Sequence, residues 1–307
     1  MDPPGVAVVI VTYNSADVLG GCLESLVEGG ADGVLLTDVV VVDNASDDAS
    51  TAIAKACHRL PVSVVPMVEN TGYAAGLNAG VAALVSRPPD AVVLLNPDCR
   101  VRPGTLATLA AGLREPWCGI VAPRLVNLDG TLQPSLRRTP TVRGAFAEAL
   151  LGGRAADRLG LGELVFAERA HALPGPVAWV TGAALLMSWS MLDRVGPWDE
   201  SFLLYSEETE YMFRAADQDW STWYEPAAVV EHKGGESSIR PSLFALLTVN
   251  RVALFKRRHG PLRGLAYAAG IALGTALRAA AGRATARAAL GALLFPSRRI
   301  TSLRQLT

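Results

Sequence analysis

Residues 91–95, Ala-Val-Val-Leu-Leu, form an unbroken apolar run that ends abruptly at Asn96-Pro97-Asp98. A run of this kind reads as a strand buried on both faces, as parallel sheets require. Pro97 has no N–H to continue a ladder, so the chain must leave the sheet there. Asp98 then lies just beyond the C-terminal end of a strand, where open α/β sheets bind ligands. A carboxylate on such a turn suits a hard cation beside a diphosphate. An ordinary Asn-Pro-Asp turn is the alternative.

Further apolar runs stand at 6–11, 39–42 and 62–65, with helix-compatible stretches near 16–28, 48–58, 73–86 and 104–114. Strand–helix alternation at this spacing predicts right-handed βαβ units, and hence a mostly parallel central sheet flanked by helices. Ser15 and Asp17 lead into the first helix, and Pro103 reads as an early helical position of the fourth. After Pro116 the pattern loosens. Asp129-Gly130 marks a hairpin turn within 119–135, 137–176 reads as a helix with loops, 177–189 as a strand pair or bend, and a helix begins near Glu207.

Three polar clusters fall at strand ends on one edge of this sheet: Thr12-Tyr13-Asn14, Asp43-Asn44-Ala45-Ser46 and Asn96-Pro97-Asp98. Convergence on one edge is what a nucleotide site requires. Asp43 could accept from the imide N–H of uracil or thymine, although Asp43 and Asn44 are also ordinary turn formers. Between Asn70 and Asn78, glycines at 72 and 76 permit close backbone approach at a helix start. Neither a GxxxxGK[ST] loop nor a GxGxxG fingerprint after the first strand is present, which argues against an ATPase and a nicotinamide enzyme. Glu207, Glu208 and Glu210 crowd one helical turn. Capping explains them in part, but mutual repulsion also raises a carboxyl pKa towards that of a general base. His232 follows an apolar run and precedes a turn at Lys233-Gly234-Gly235; its company points to metal or diphosphate binding.

The blocks VVIVTYNS, VVVVDNASDD, NTGYAAGLNAG, LLNPDC, WVTGAALL, GPWDESFLLYSEETEYMFR and HKGGESS occur in this order over residues 6–240. Together they resemble a family 2 glycosyltransferase of the GT-A fold, and within it the rhamnosyltransferase-like enzymes. The resemblance implies inverting transfer of a sugar from a nucleotide-diphosphate donor to a hydroxyl acceptor, with Mg²⁺ or Mn²⁺ as cofactor. It assigns Asp98, helped by His232, to the metal, and Asn96 to the place of the first acid of the family's DxD-type motif. Thr12, Asn14 and Asp43 match nucleoside-binding positions; Asn70, Gly72 and Asn78 match the segment beside the nucleotide. Glu208 stands where the family usually has its catalytic Asp, one methylene longer, with Glu207 the second candidate for the base. Trp179 and Gly182 match the block lining the acceptor side. The implied donor is a dTDP- or UDP-sugar, dTDP-L-rhamnose first. The acceptor is a glycan, glycolipid or small molecule, and no nucleic acid is expected as a partner.

Charge divides the chain unevenly. Residues 237–307 hold 12 Lys or Arg and no carboxylate, leaving 16 basic against 29 acidic residues before them. The expected organisation is a catalytic domain over 1–240, with a nucleotide-binding half (1–115) and an acceptor-binding half (116–240), followed by a basic helical tail (241–307). The uncharged segment 264–277 is too short to span a bilayer as a helix. It reads as an interfacial anchor on an anionic membrane surface; packing on the chain's own acidic domain, or a homodimer contact, is the alternative. Four cysteines without CxxC spacing indicate reduced thiols, and Met1–Val11 lacks the features of a signal peptide. The expectation is a cytoplasmic enzyme, peripheral on the inner face of the cell membrane, with a soluble enzyme decorating a secondary metabolite or a non-catalytic nucleotide-sugar scaffold as alternatives.

Overall fold

The computed structural model describes residues 2–113, 117–234 and 240–303, so the end of the HKGGESS block lies outside the described residues. Among the described residues, nine strands form one sheet. Strands β1 (Gly5–Thr12), β2 (Leu35–Asp43), β3 (Val62–Pro66) and β4 (Ala91–Leu95) lie in the order β3-β2-β1-β4, all parallel. Every residue of β4 is buried, as its apolar run demands. The order continues through β10 (Ala184–Ser188), β6 (Cys118–Val126), β11 (Ser221–His232) and β5 (Cys99–Val101), and β8 (Gly175–Val177) pairs with β11. Strand β10 runs antiparallel to both β4 and β6, so the sheet is mixed in its second half.

Helices α1 (Ala16–Ser25), α2 (Ser50–Ala56), α3 (Tyr73–Ala82) and α4 (Thr105–Gly112) fill the expected intervals. The start of α1 is not capped by the Ser15 side chain; Asp48, from the neighbouring loop, accepts from the Ala16 N–H at 2.8 Å. Pro103 stands outside α4, whose N-cap is Gly104 at φ 71°.

The expected hairpin over 119–135 forms its first strand and its turn, but the return side pairs only briefly, with Asn127 N–H donating to the Thr131 carbonyl and Gln133 N–H to the Leu125 carbonyl. Gly130 takes φ 81° and a single bridge joins Val126 to Leu132. Pro134, two residues later, has no N–H to extend a second strand. Nor do the strands of 177–189 pair with each other: β9 (Trp179–Val180) joins β7 (Leu136–Arg137) in a separate small sheet, while β10 enters the main one. Between β7 and β8 lie α5 (Val142–Leu151) and α6 (Gly153–Arg158). Helix α7 (Trp189–Val195) follows β10, and α8 begins at Glu207 and runs to Ala216.

The basic tail forms α9 (Pro241–Ala280) and α10 (Ala284–Leu294). Gly260, at φ 80°, breaks α9 into two arms, and Pro261 opens the second. Three tail cations pair with carboxylates of the front: Arg251 with Glu148 and Glu163, Arg257 with Asp199, and Arg258 with Asp217. The first arm is therefore docked on the acidic domain. Three of the four cysteines, Cys22, Cys99 and Cys118, are buried, and all four are free.

Candidate active site

Three cavities run in sequence along the C-terminal edge of the parallel strands and share walls. The first, of about 610 Å³, is lined by Tyr13, Asn14, Asn44, Asn70, Arg240 and Leu303 among others. Tyr13, Tyr73 and Leu204 separate it from a second of about 470 Å³, which holds Asn96, Asp98, Gln133, Glu207 and His232. Arg137, Thr181, Tyr205 and Glu208 stand between the second cavity and a third of about 260 Å³. That third chamber has an aromatic and aliphatic wall of Trp179, Phe213, Leu247, Leu254 and Phe255.

The first chamber is held by side-chain brackets between loops. Asn14, at φ 50°, accepts from Asp47 N–H through Oδ1 at 2.9 Å, and its own N–H donates to Ser46 Oγ. Buried Asn44 donates to Asn70 Oδ1 and to the Gly72 carbonyl, and accepts from Thr71 N–H. Asp43 accepts from Ser46 N–H with one oxygen, while its other, Oδ1, is buried without a partner among the described residues.

Four residues expected near the nucleotide, Thr12, Asp43, Gly72 and Asn78, line none of the three cavities. Thr12 is fully buried at the end of β1 and reaches none of the three cavities. A Cβ on Gly72 would collide with the Leu203 carbonyl oxygen, so its glycine admits the chain's own 203–206 loop, and Gly76 in the same way admits Val11 beneath α3. The Asn78 side-chain amide grips Trp198 by donating to its carbonyl and accepting from its N–H, and it also donates to Glu200. That amide is fully engaged in joining two loops, a use that local spacing could not reveal.

In the second chamber, His232 Nε2 lies 3.4 Å from Asp98 Oδ1, and the Gly234 N–H donates to Asp98 Oδ2 at 2.9 Å. Burial opposes ionisation of Asp98, but the His232 hydrogen bond and charge, with the Gly234 N–H, outweigh it and hold the carboxyl below its ordinary range. Gln133 Oε1 sits 2.7 Å from His232 Nδ1 and fixes the ring. Asp98 and His232 together fit a hard cation that also takes diphosphate oxygens. Cys99 lies within the same cluster; its thiol is directed to the Ala183 carbonyl at 3.3 Å, and burial pushes its pKa well up. Asn96, which also lines this chamber, accepts from Tyr73 O–H at 3.0 Å.

The acidic turn of α8 divides its labour. Glu210 is taken by Arg214 through charge-assisted bonds of 3.0 Å. Glu207 is 3% exposed, and burial followed by the charge of Glu208 drives its pKa well up. Glu208 is also raised by burial, but the nearby Arg137 charge and hydrogen bonds from backbone, including Gly182, pull it back. Burial thus raises both carboxyls of this adjacent pair, and Glu208 is the one with Arg137 and the Gly182 backbone beside it. Its additional methylene is accommodated by Gly182, where a Cβ would meet Glu208 Cβ and Cγ at 3.1 Å. Tyr205 and Ser206, both at positive φ (69° and 77°), turn the chain into α8. Asn250 of α9 pins that strained loop by donating to the Leu204 and Tyr205 carbonyls at 3.0 and 3.1 Å.

Arg137, Gln133, Tyr73 and Asn250 are not evident from the sequence. Arg137 is the most consequential. Its guanidinium donates to Thr181 Oγ1 at 3.2 Å, lies 5.7 Å from the Trp179 ring centroid, and leaves Nε without a partner among the described residues. The only available signal is its place in an irregular Arg-rich stretch. Trp179 donates its indole N–H to the Arg138 carbonyl and stacks edge-on against Phe213, which fixes one wall of the third chamber.

With this geometry in view, the comparisons with known proteins are decisive. The signature of Glycosyl transferase family 2 matches residues 7–166. The chain belongs to glycosyltransferase family 2. It is 31% identical over 248 residues to an N-acetylglucosaminyl-diphospho-decaprenol L-rhamnosyltransferase of Mycobacterium tuberculosis, covering 76% of this chain and 77% of that one. In fold it is similar to a mannosyltransferase from Pyrobaculum calidifontis solved with GDP-Man and Mn²⁺ (TM-score 0.58, 20% identity, 99% of this chain and 83% of that one). It is also similar to the glucosyl-3-phosphoglycerate synthase of M. tuberculosis, solved with Mn²⁺, UDP and phosphoglyceric acid (TM-score 0.55, 18% identity, 84% and 80%). The fold is GT-A, and the protein is a rhamnosyltransferase-like enzyme that uses a nucleotide-sugar donor.

Proposed function

We propose that the enzyme transfers a sugar with inversion, L-rhamnose from dTDP-L-rhamnose in the first instance, to a hydroxyl of a sugar carried on a lipid diphosphate, at the inner face of the cell membrane. The observation that carries this reading is Glu208, which alone of the acidic pair lines both the second and third chambers. A base in that position reaches an acceptor on one side and the anomeric carbon on the other. Glu208 takes the acceptor hydroxyl proton as the oxygen forms its bond to the anomeric carbon and the bond to the departing diphosphate breaks. No enzyme nucleophile is required for a single displacement. Asp98 and His232 would hold a divalent cation, which when bound neutralises charge on the leaving diphosphate.

The unpartnered Asp43 Oδ1 supports a pyrimidine that offers an imide N–H. The sequence likeness to an L-rhamnosyltransferase acting on a lipid diphosphate sugar supports both donor and acceptor class, and the apolar wall of the third chamber suits the lipid-proximal part of such a molecule. The test is a panel of nucleotide sugars incubated with Mn²⁺ or Mg²⁺, with chelator, and with Asp98→Asn. The reading expects metal-dependent release of dTDP or UDP, lost in the variant. GDP binding tighter than UDP and dTDP in calorimetry, or turnover indifferent to chelator, overturns it.

A further inference from the structure

The second arm of α9, residues 261–280, packs on α5, and α9 is also packed against α10. Gly270 and Gly274 bring it close to α5: a Cβ at Gly270 would lie 2.9 Å from the Ala145 Cβ, and one at Gly274 3.2 Å from the Ala149 Cα. Tyr267 and Ile271 are buried on that side against Phe255 and Ala145. At about 100° per residue, Leu262, Leu265, Ala269, Leu273, Leu277 and Ala280 all fall within about 60° of one line along the opposite side. No polar side chain interrupts that line. Leu262 is 83% exposed, Leu265 70% and Leu277 48%. The stripe is about 30 Å long and begins just beyond His259, which lines the third chamber.

The tail that carries this stripe has charge of one sign. Residues 240–303 contain no carboxylate. Arg251, Arg257 and Arg258 are neutralised by the front of the chain. Lys256, Arg263, Arg283 and Arg287 are exposed, and no ion pair is found for them among the described residues. A second copy meeting the stripe about a two-fold axis would bring like charges together. An anionic lipid surface would be complementary to both the leucines and the cations. No described helix is long and apolar enough to cross a membrane.

We propose that the Leu262–Leu265–Leu277 face of α9 is a docking surface for an anionic bilayer, on which the enzyme lies with this arm in the headgroup plane. The proposal deepens and rests on the reading of a lipid-linked acceptor, since the docked face adjoins the helix arm that walls the third chamber. Truncating the tail cannot test it, because Asn250 and Arg251 of the same helix hold the catalytic loop and the domain together.

The test is flotation of the full chain with vesicles of phosphatidylglycerol or of phosphatidylcholine, beside a Leu262→Gln/Leu265→Gln variant. The expected result is binding to the phosphatidylglycerol vesicles, reversed by salt and weakened at least about tenfold in the variant, as exposure of two inserted leucines predicts. Donor hydrolysis without vesicles should be the same in both proteins. Failure to float, equal binding to both lipids, or unchanged binding by the variant overturns the proposal. So does a dimer in light scattering that the variant disperses, which would make the stripe a protein interface. A protein that floats as described but turns over no nucleotide sugar leaves the docking surface standing and defeats the proposed reaction instead.

Discussion

The nucleotide side and the acceptor side of this site are built by different means. Around the first chamber, main-chain loops at strand ends are tied by amide brackets, with Asn14 and Asn44 joining loops far apart in sequence. Around the third, Arg137, Trp179 and the apolar face of α9 form walls whose identities are not dictated by the sheet. On the function proposed above, the first arrangement would hold the nucleotide, the part of the ligand common to nucleotide-sugar enzymes. The second leaves chemistry free to vary with the acceptor. Glu208 faces the second and third chambers together, which couples the two sides into one site.

The comparison breaks most visibly at Glu208. Glu208→Gln is expected to lower transfer by at least ~10² while donor binding, measured by calorimetry, is kept. Glu207→Gln should be the milder change, because Glu207 lines the second chamber but not the third. An inactive Glu207→Gln beside a near-normal Glu208→Gln would reverse the assignment. A smaller effect is expected on the nucleotide side. Asn44→Ala removes the bonds to Asn70, Gly72 and Thr71; the Thr71 N–H loses its Asn44 acceptor, while the Gly72 carbonyl keeps the Gly76 N–H. It should cost about 1–3 kcal/mol in urea unfolding and raise the donor KM with kcat little changed. A kcat loss as large as that of Glu208→Gln would mean that the two sides are not separable.

What can be read from the sequence follows the same division. Strand β4 is legible to the residue because a fully buried parallel strand carries no polar interruption, and α8 is legible because its acidic start is local. The βαβ half is therefore clear, along with the placing of Asp98, His232, Trp179 and the Glu207–Glu208 pair beside the cavities. The antiparallel insertion of β10 is not, since strand direction depends on distant pairing. Thr12, Gly72 and Asn78 carry the right residue types for a nucleotide site, but Thr12 is closed off in the core and the other two serve loop-to-loop contacts with Leu203 and Trp198, far along the chain. Arg137 gives no signal, because an arginine in an irregular stretch is ordinarily a solvated one. The basic, helical character of the tail is visible in its composition, whereas its role in pinning the 203–206 loop depends on the single amide of Asn250.

The pH dependence of kcat tests the role of Glu208 most directly. Burial raises its pKa and Arg137 opposes the rise, so the ionised base should be lost as pH falls through a value above the ordinary glutamate range. The acid limb of the kcat profile should lie there, and in Arg137→Gln it should move to still higher pH, because the opposing charge is gone. An acid limb at the ordinary glutamate value of about 4.3, or one that stays in place when Arg137 is replaced, would contradict the account.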